Sequence, residues 1–350
     1  MYHLNLCLIS IISLFRRSKL TTYLIYLLLI YLSIFDGTRF ETGPDWDSYL
    51  LHFYKGEYSQ NFEWMYNKYV EFFRIIYPNY NVFLFIISLF LYFSLFKKIM
   101  IYSKSNVSLI VLYSMVVPYI GINRQLISIG IIVYSIKYIL EKELLKFTIT
   151  VALASCFHIT ASLFLICYLC NYINYFKKNN RIKIYFFMVL FSIFGWNLFK
   201  IIFYCFEYFF PFLNKYTPYF SYEIRGFSLV GFITRILEIF IPLFLLNEDK
   251  LKKEDKKLLN ITILSLLFSF LIYIIFSGKF SILVSRGTLI YKIIFLPILY
   301  GIAFKTLEGK IIKKFIFIIF IIIFCQLILY KSIIISEFSY QYLYKNIFLK

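Results

Sequence analysis

The sequence predicts an all-α, polytopic integral membrane protein with roughly 10–12 transmembrane helices. Three observations predict it. Of 350 residues, 61% are hydrophobic, against about 45–50% in a soluble domain. Apolar runs of about 15 residues or more recur along the whole length. No alternating strand pattern of a membrane barrel appears, so helices are the remaining way to satisfy backbone groups in lipid. No stretch is polar enough for a soluble domain, and residues 1–350 read as one membrane domain.

The elements follow from charge placement. Leu4–Phe15 is apolar and is followed by Arg16, Arg17 and Lys19. A cleavable signal peptide carries its charges before the apolar region, so this run reads as a first span with a cytoplasmic end. Leu20–Phe35 crosses outward and delivers a polar loop, Asp36–Tyr80, to the external face. Asn81–Phe96 returns to Lys97, Lys98 and Lys104. Val107–Ile120 goes out and Leu126–Leu140 comes back. The run Phe147–Phe176 carries His158 near its middle. Two short segments bent near His158 keep the following cluster, Lys177 to Lys183, on the cytoplasmic side; one tilted helix through the run is the alternative. Ile184–Phe199 goes out to a second external, aromatic-rich segment, 200–226. Gly226–Leu246 returns to Asn247–Lys257, the most charged cytoplasmic loop. Leu258–Phe276, Ile282–Phe304 and Ile311–Tyr330 complete the set.

The net charge is +19. Most of the excess is Lys in short loops, which is the positive-inside pattern and not a nucleic-acid surface. Seven of the 18 acidic residues, by contrast, fall in Asp36–Tyr80. Six of the nine Arg (39, 74, 124, 225, 235, 286) fall on the outer half of this topology. Charged groups at membrane depth are costly and mark function by default. Of six Cys, Cys167 and Cys170 form a CxxC without a second pair or a nearby His; packing is the expected role.

Arg124 is the sharpest candidate. Gly121-Ile-Asn-Arg-Gln125 interrupts two apolar spans without a real loop, so a helix starts at or just before Arg124. Its free N–H groups and the guanidinium make an anion site. Arg286 is placed similarly, just inside its span, and Arg225 and Arg235 carry weaker signals. Gly43-Pro44 looks like a helix start, with Asp45 and Asp47 in the first turn. Asn61–Tyr77 reads as an amphipathic helix lying on the outer membrane surface, with Glu63, Asn67, Glu71 and Arg74 on its polar stripe; Glu63 either faces the site or stays on the wet face. His158 is a lone imidazole among apolar neighbours at an outer bend, competent as acid or base. Asp45 and Asp47 share DxD spacing, which alone is a weak metal signal.

In order along the chain these residues are Arg39, Gly43-x-Asp45, Tyr49 and Glu63, then Arg124-Gln125 opening a helix, then Ala154-x-x-Phe157-His158. Over residues 30–165 this pattern resembles the EpsG family of bacterial exopolysaccharide polymerases, which are Wzy-like membrane proteins. The rest of the chain matches by hydropathy and Arg286. Pro44 before the Asp, and Leu126-Ile127-Ser128 where a small Ala commonly follows, depart from the family pattern without removing a charged group.

The resemblance implies polymerisation of polyprenyl-diphosphate-linked oligosaccharide repeat units into capsule, O-antigen or exopolysaccharide. The reaction would take place at the outer face of the bacterial cytoplasmic membrane, with no metal or other cofactor. Besides the lipid-linked substrate and membrane lipid, a chain-length regulator and a flippase are the expected partners. Arg124, His158, Asp45 and Glu63 are the expected catalytic groups. Arg39, Asp47, Tyr49, Gln125, Arg225 and Arg286 are the expected substrate contacts. Arg124 and Arg286 would hold the diphosphate; among Asp45, Glu63 and His158 the base stays open. The rival classes are a flippase for the same glycan, which should show internal repeats, and a sugar acyltransferase. No repeat is visible, and the unusual charges cluster at the outer face.

Overall fold

The computed structural model describes residues 1–15, 18–43, 45–209, 228–280, 283–307, 309–335 and 345–346. It is helical throughout, apart from a two-residue pairing of β1, Arg39–Phe40, with β2, Lys345–Asn346. Helices α1 (Tyr2–Leu14) and α2 (Lys19–Gly37) open the chain. Ser18 caps α2 by accepting from the Thr21 N–H at 3.1 Å. Two short helices follow, α3 (Trp46–Lys55) and α4 (Trp64–Ile76). Helices α5 (Tyr80–Ser103) and α6 (Ser108–Tyr119) come next, then α7 (Asn123–Ile132) and α8 (Ser135–Glu141). Helix α9 (Leu144–Ser155) turns at Cys156–His158 into a 3₁₀ helix, Ile159–Asn171, packed back against it. The long helices α10 (Lys178–Phe209), α11 (Leu229–Leu245), α12 (Lys253–Phe276), α13 (Leu283–Thr306) and α14 (Ile311–Tyr330) complete the fold.

Six of the helices are long and apolar enough to cross a membrane, and four shorter apolar ones accompany them among the described residues. The expected all-α, multi-pass class therefore holds. The break at His158 also holds: the run from Phe147 is two segments and not one tilted helix. The chain differs from expectation after Phe199. Helix α10 continues through Lys200 to Phe209, giving 32 residues. That is about 48 Å at 1.5 Å per residue, beyond the ~30 Å hydrocarbon layer. Aromatic side chains carry the helix across the isolated Lys200, which a sequence reading takes for a span end. Residues 210–227, including Arg225, lie outside the described set, as does Pro44.

Helices α12 and α13 form the centre, and α13 packs on α6 as well as on α12. Their ends are charged differently. At the end bearing Lys98 and Lys257, Asp255 is clamped between Lys104 at 2.8 Å and Lys305 at 3.0 Å. At the opposite end sit α3, α4 and the start of α7. There a small aromatic core (Trp46, Tyr49, Phe53, Tyr66 and Phe83 among its members) seats the polar loop on α5. Gly43 has φ +109°, and a Cβ on it would lie 2.6 Å from the Ile120 carbonyl oxygen. Only glycine allows both that backbone region and that approach. This contact holds the loop against the α6–α7 turn, immediately before Arg124.

Candidate active site

Arg124 lies in the first turn of α7, which begins at Asn123 as its sequence position suggests. The residue is 9% exposed. Its Nε donates to the Tyr49 hydroxyl at 3.2 Å, and its Nη1 donates to the Asn61 carbonyl at 3.3 Å. Nη1 also pairs with Glu63 Oε2. One face lies over the Phe62 ring, 4.1 Å from its centroid. A cation over an aromatic face gains about 0.5–2 kcal/mol when partly desolvated. Four contacts thus fix the fork in place, and Nη2 makes no hydrogen bond with the described residues.

Glu63 is not on the wet stripe of α4. It is the N-cap of that helix, and its carboxylate turns inward. Its Oε1 accepts from the Ile159 backbone N–H at 3.1 Å while Oε2 holds Arg124. The single side chain ties α4 to the α9 bend and to α7. Sequence periodicity groups it with Asn67 and Glu71 because the N-cap position keeps the i, i+4 spacing of the helix it precedes.

His158 is 4% exposed at the bend between α9 and the 3₁₀ helix. Its Nδ1 accepts from the Thr160 backbone N–H at 3.3 Å and meets the Thr160 hydroxyl at 2.7 Å. An accepting Nδ1 leaves the ring proton on Nε2. Burial, then the charges of Arg124 and Arg286, push the imidazole down to about 3. Such a ring is neutral at pH 7 and a weak proton acceptor. The sign of the linkage follows. The folded value lies below the unfolded value near 6.5, so stability is full above about pH 6.5 and falls as pH drops toward 3. The loss approaches about 1.4 kcal/mol per pH unit at most. Between pH 7 and 5 the wild-type Tm is therefore expected to fall more than that of His158→Gln. Parallel falls in the two proteins would show that His158 is not buried as a neutral ring.

Arg286 sits in a π-helical turn, Leu283–Gly287, at the start of α13. Such single wide turns recur at functional sites. The turn frees the Arg286 carbonyl, which accepts from Gln125 Nε2 at 2.7 Å. Arg286 Nη2 stands 3.6 Å from Asp45 Oδ2. Asp45 is the N-cap position of α3 without a side-chain cap bond, so its carboxylate is free to face Arg286. The helix therefore starts two residues later than a Pro44 start would give, at Trp46.

Glu63, Arg124, His158 and Arg286 line one cavity of about 560 Å³, within the usual range for ligand sites. Thr160 and Ser162 add hydroxyls, and Phe199, Phe203, Phe280 and Leu283 form an apolar wall opposite. Asp45 borders the cavity through Arg286. The other sequence candidates lie elsewhere. Gln125 and Tyr49 are buried beneath Arg124 and Arg286 and hold them. Arg39 is buried, donating to Asn123 Oδ1 at 3.0 Å and to the Asp36 carbonyl at 2.8 Å. It braces the residue before Arg124 and does not reach the cavity. Asp47 is exposed on α3. Asn61, Phe62 and Thr160 were not legible: one acts through its carbonyl, one through its ring face, and one through its spacing from His158. Cys167 and Cys170 are buried and free, with Cys167 Sγ 3.3 Å from Ser265 Oγ, a packing environment. Among the described residues, no group of three His, Cys, Asp or Glu side chains is placed to hold a metal ion.

The fold and this cavity define a multi-pass membrane protein with two arginines and a carboxylate facing an apolar wall at one end of its helices. A model of the EpsG family matches residues 6–345, nearly the whole length, and the chain belongs to that family, whose members are Wzy-like polysaccharide polymerases. No curated protein and no solved structure matches it.

Proposed function

We propose that the protein joins polyprenyl-diphosphate-linked oligosaccharide repeat units at the outer face of the bacterial cytoplasmic membrane. The observation that carries this reading is the two-sided cavity. Arg124 and Arg286 offer planar forks suited to phosphate oxygens. The wall of Phe199, Phe203, Phe280 and Leu283 suits a prenyl chain. The orientation rests on charge: lysines crowd the end opposite the cavity, and that end is cytoplasmic by the positive-inside rule.

In the proposed step, an acceptor hydroxyl oxygen attacks the anomeric carbon of the donor sugar. The bond from that carbon to the phosphate oxygen breaks, and the lipid diphosphate leaves with the electron pair. Arg124 and Arg286 stabilise the charge it gains. Arg124 exchanges Glu63 for the diphosphate on binding. Glu63 then takes the hydroxyl proton, being the carboxylate that lines the cavity among the described residues. His158, neutral, donates from Nε2 to a sugar or phosphate oxygen. Arg39, Tyr49 and Gln125 hold the two arginines in position.

The test is reconstitution. Purified protein in liposomes, given synthetic polyprenyl-diphosphate repeat units alone, is expected to release polyprenyl diphosphate and produce a ladder of lengthening glycans. Hydrolysis or acyl transfer without chain extension would contradict the reading.

A further inference from the structure

A second cavity, of about 450 Å³, lies away from the first and is lined by groups that polymerisation at Arg124 does not use. It is enclosed by α11, α13, α6 and α14. Three cations reach it: Arg235, Lys292 and Lys331, against one carboxylate, Glu238. Lys292 spends its charge on Glu238, at 2.8 Å. Arg235 stacks over the Tyr273 ring, 3.8 Å from its centroid, and Nη1 makes a long bond of 3.4 Å to the Gly231 carbonyl. Its Nε is buried and has no hydrogen-bond partner. Lys331, at the far end of α14, is exposed and makes no ion pair among the described residues. Cations within membrane depth are costly unless something pairs with them, and among the described residues Arg235 and Lys331 form no ion pair.

The surroundings say what kind of anion fits. The helices run in a row, α11 on α13, α13 on α6, and α6 on α14. Helices α11 and α14 are its two ends and hardly touch each other among the described residues. Leu237 on α11 and Leu327 on α14, each next to a lining residue, are 42% and 59% exposed, an apolar margin beside the groove. A soluble anion would have to cross that apolar margin. A lipid headgroup would arrive with its tail already in it. Lys292 lies six residues beyond Arg286 on α13, about 9 Å along the axis, so the groove is one to two turns deeper than the cavity of Arg124.

The geometry points to a second anion site that takes a phosphate or diphosphate ester carried by a lipid, with Arg235 and Lys331 gripping the oxygens and the tail lying between α11 and α14. The site is read from binding and stands whether or not the first cavity polymerises glycans.

Native mass spectrometry of the full-length protein in detergent tests it. The added probes are phosphatidylglycerol, polyprenyl diphosphate, zwitterionic phosphatidylcholine and inorganic pyrophosphate. At least one of the first two is expected to be retained about tenfold more than phosphatidylcholine, a difference of about 1.4 kcal/mol. All retention is measured in an Arg124→Lys background, which removes the diphosphate fork of the first cavity; there Arg235→Gln and Lys331→Gln should each abolish that preference, and Lys331→Arg should keep it. The conservative variant separates loss of charge from loss of fold. Displacement of phosphatidylglycerol by polyprenyl diphosphate would assign the site to the carrier lipid, and failure to displace it would assign the site to bulk lipid; both uphold it. Equal retention of phosphatidylcholine, unchanged preference in the Gln variants, or pyrophosphate binding as well as the lipids would overturn it.

Discussion

Arg124→Lys is expected to lose polymer synthesis by about a hundredfold or more while the protein still inserts and accumulates, because charge is kept and the fork is lost. The structure sharpens the reason. The guanidinium is held by the Tyr49 hydroxyl through Nε and by Asn61 and Glu63 through Nη1. Its plane rests on Phe62. An ammonium can reach one of these partners and cannot present a second, parallel donor to a diphosphate. Polymer yield and chain-length distribution in cells carrying the variant check this. Normal polymer from the Lys protein would remove Arg124 from the diphosphate site.

Glu63→Gln is expected to lower polymerisation by about 10²–10⁴-fold, the usual contribution of a positioned base. Asp45→Asn should cost about tenfold or less by the same logic, since its carboxylate touches the site only through Arg286. Glutamine keeps the shape of the cap and an oxygen for the Ile159 N–H or Arg124, so both variants should accumulate. Turnover of purified protein over a range of acceptor concentrations separates base from binder. A loss confined to KM in Glu63→Gln, or a larger kcat loss in Asp45→Asn, would move the base to Asp45.

Much of this site could be read from the chain because its parts sit where helices begin or break. Arg124 follows an interruption too short to be a loop, and His158 marks the bend of a run too long for one span and too short for two ordinary ones. Both signals are local. What stayed hidden was set by packing across the fold. Arg39 and Arg124 look alike in sequence, yet one braces Asn123 under the surface and the other faces the cavity. Glu63 shares its register with exposed carboxylates, and only the approach of Ile159 and Arg124 turns it inward. The surroundings of His158 were also hidden: burial, an accepting Nδ1 and two nearby arginines lower the basicity of a ring that composition alone made attractive. The apolar wall from α10 was illegible for a different reason, since Phe199 and Phe203 lie where a sequence reading ends the span.

The central claim is that chemistry occurs in the cavity of Arg124, Arg286 and Glu63, after the lipid-linked unit has reached the outer leaflet. Its most direct test is the leaflet and length of the glycan on the carrier lipid in cells carrying Arg124→Lys. Intact cells can be probed with an impermeant glycan-labelling reagent. The account predicts a single repeat unit per carrier, labelled from outside and unpolymerised. Single units that stay protected on the cytoplasmic leaflet would contradict it and leave a flippase.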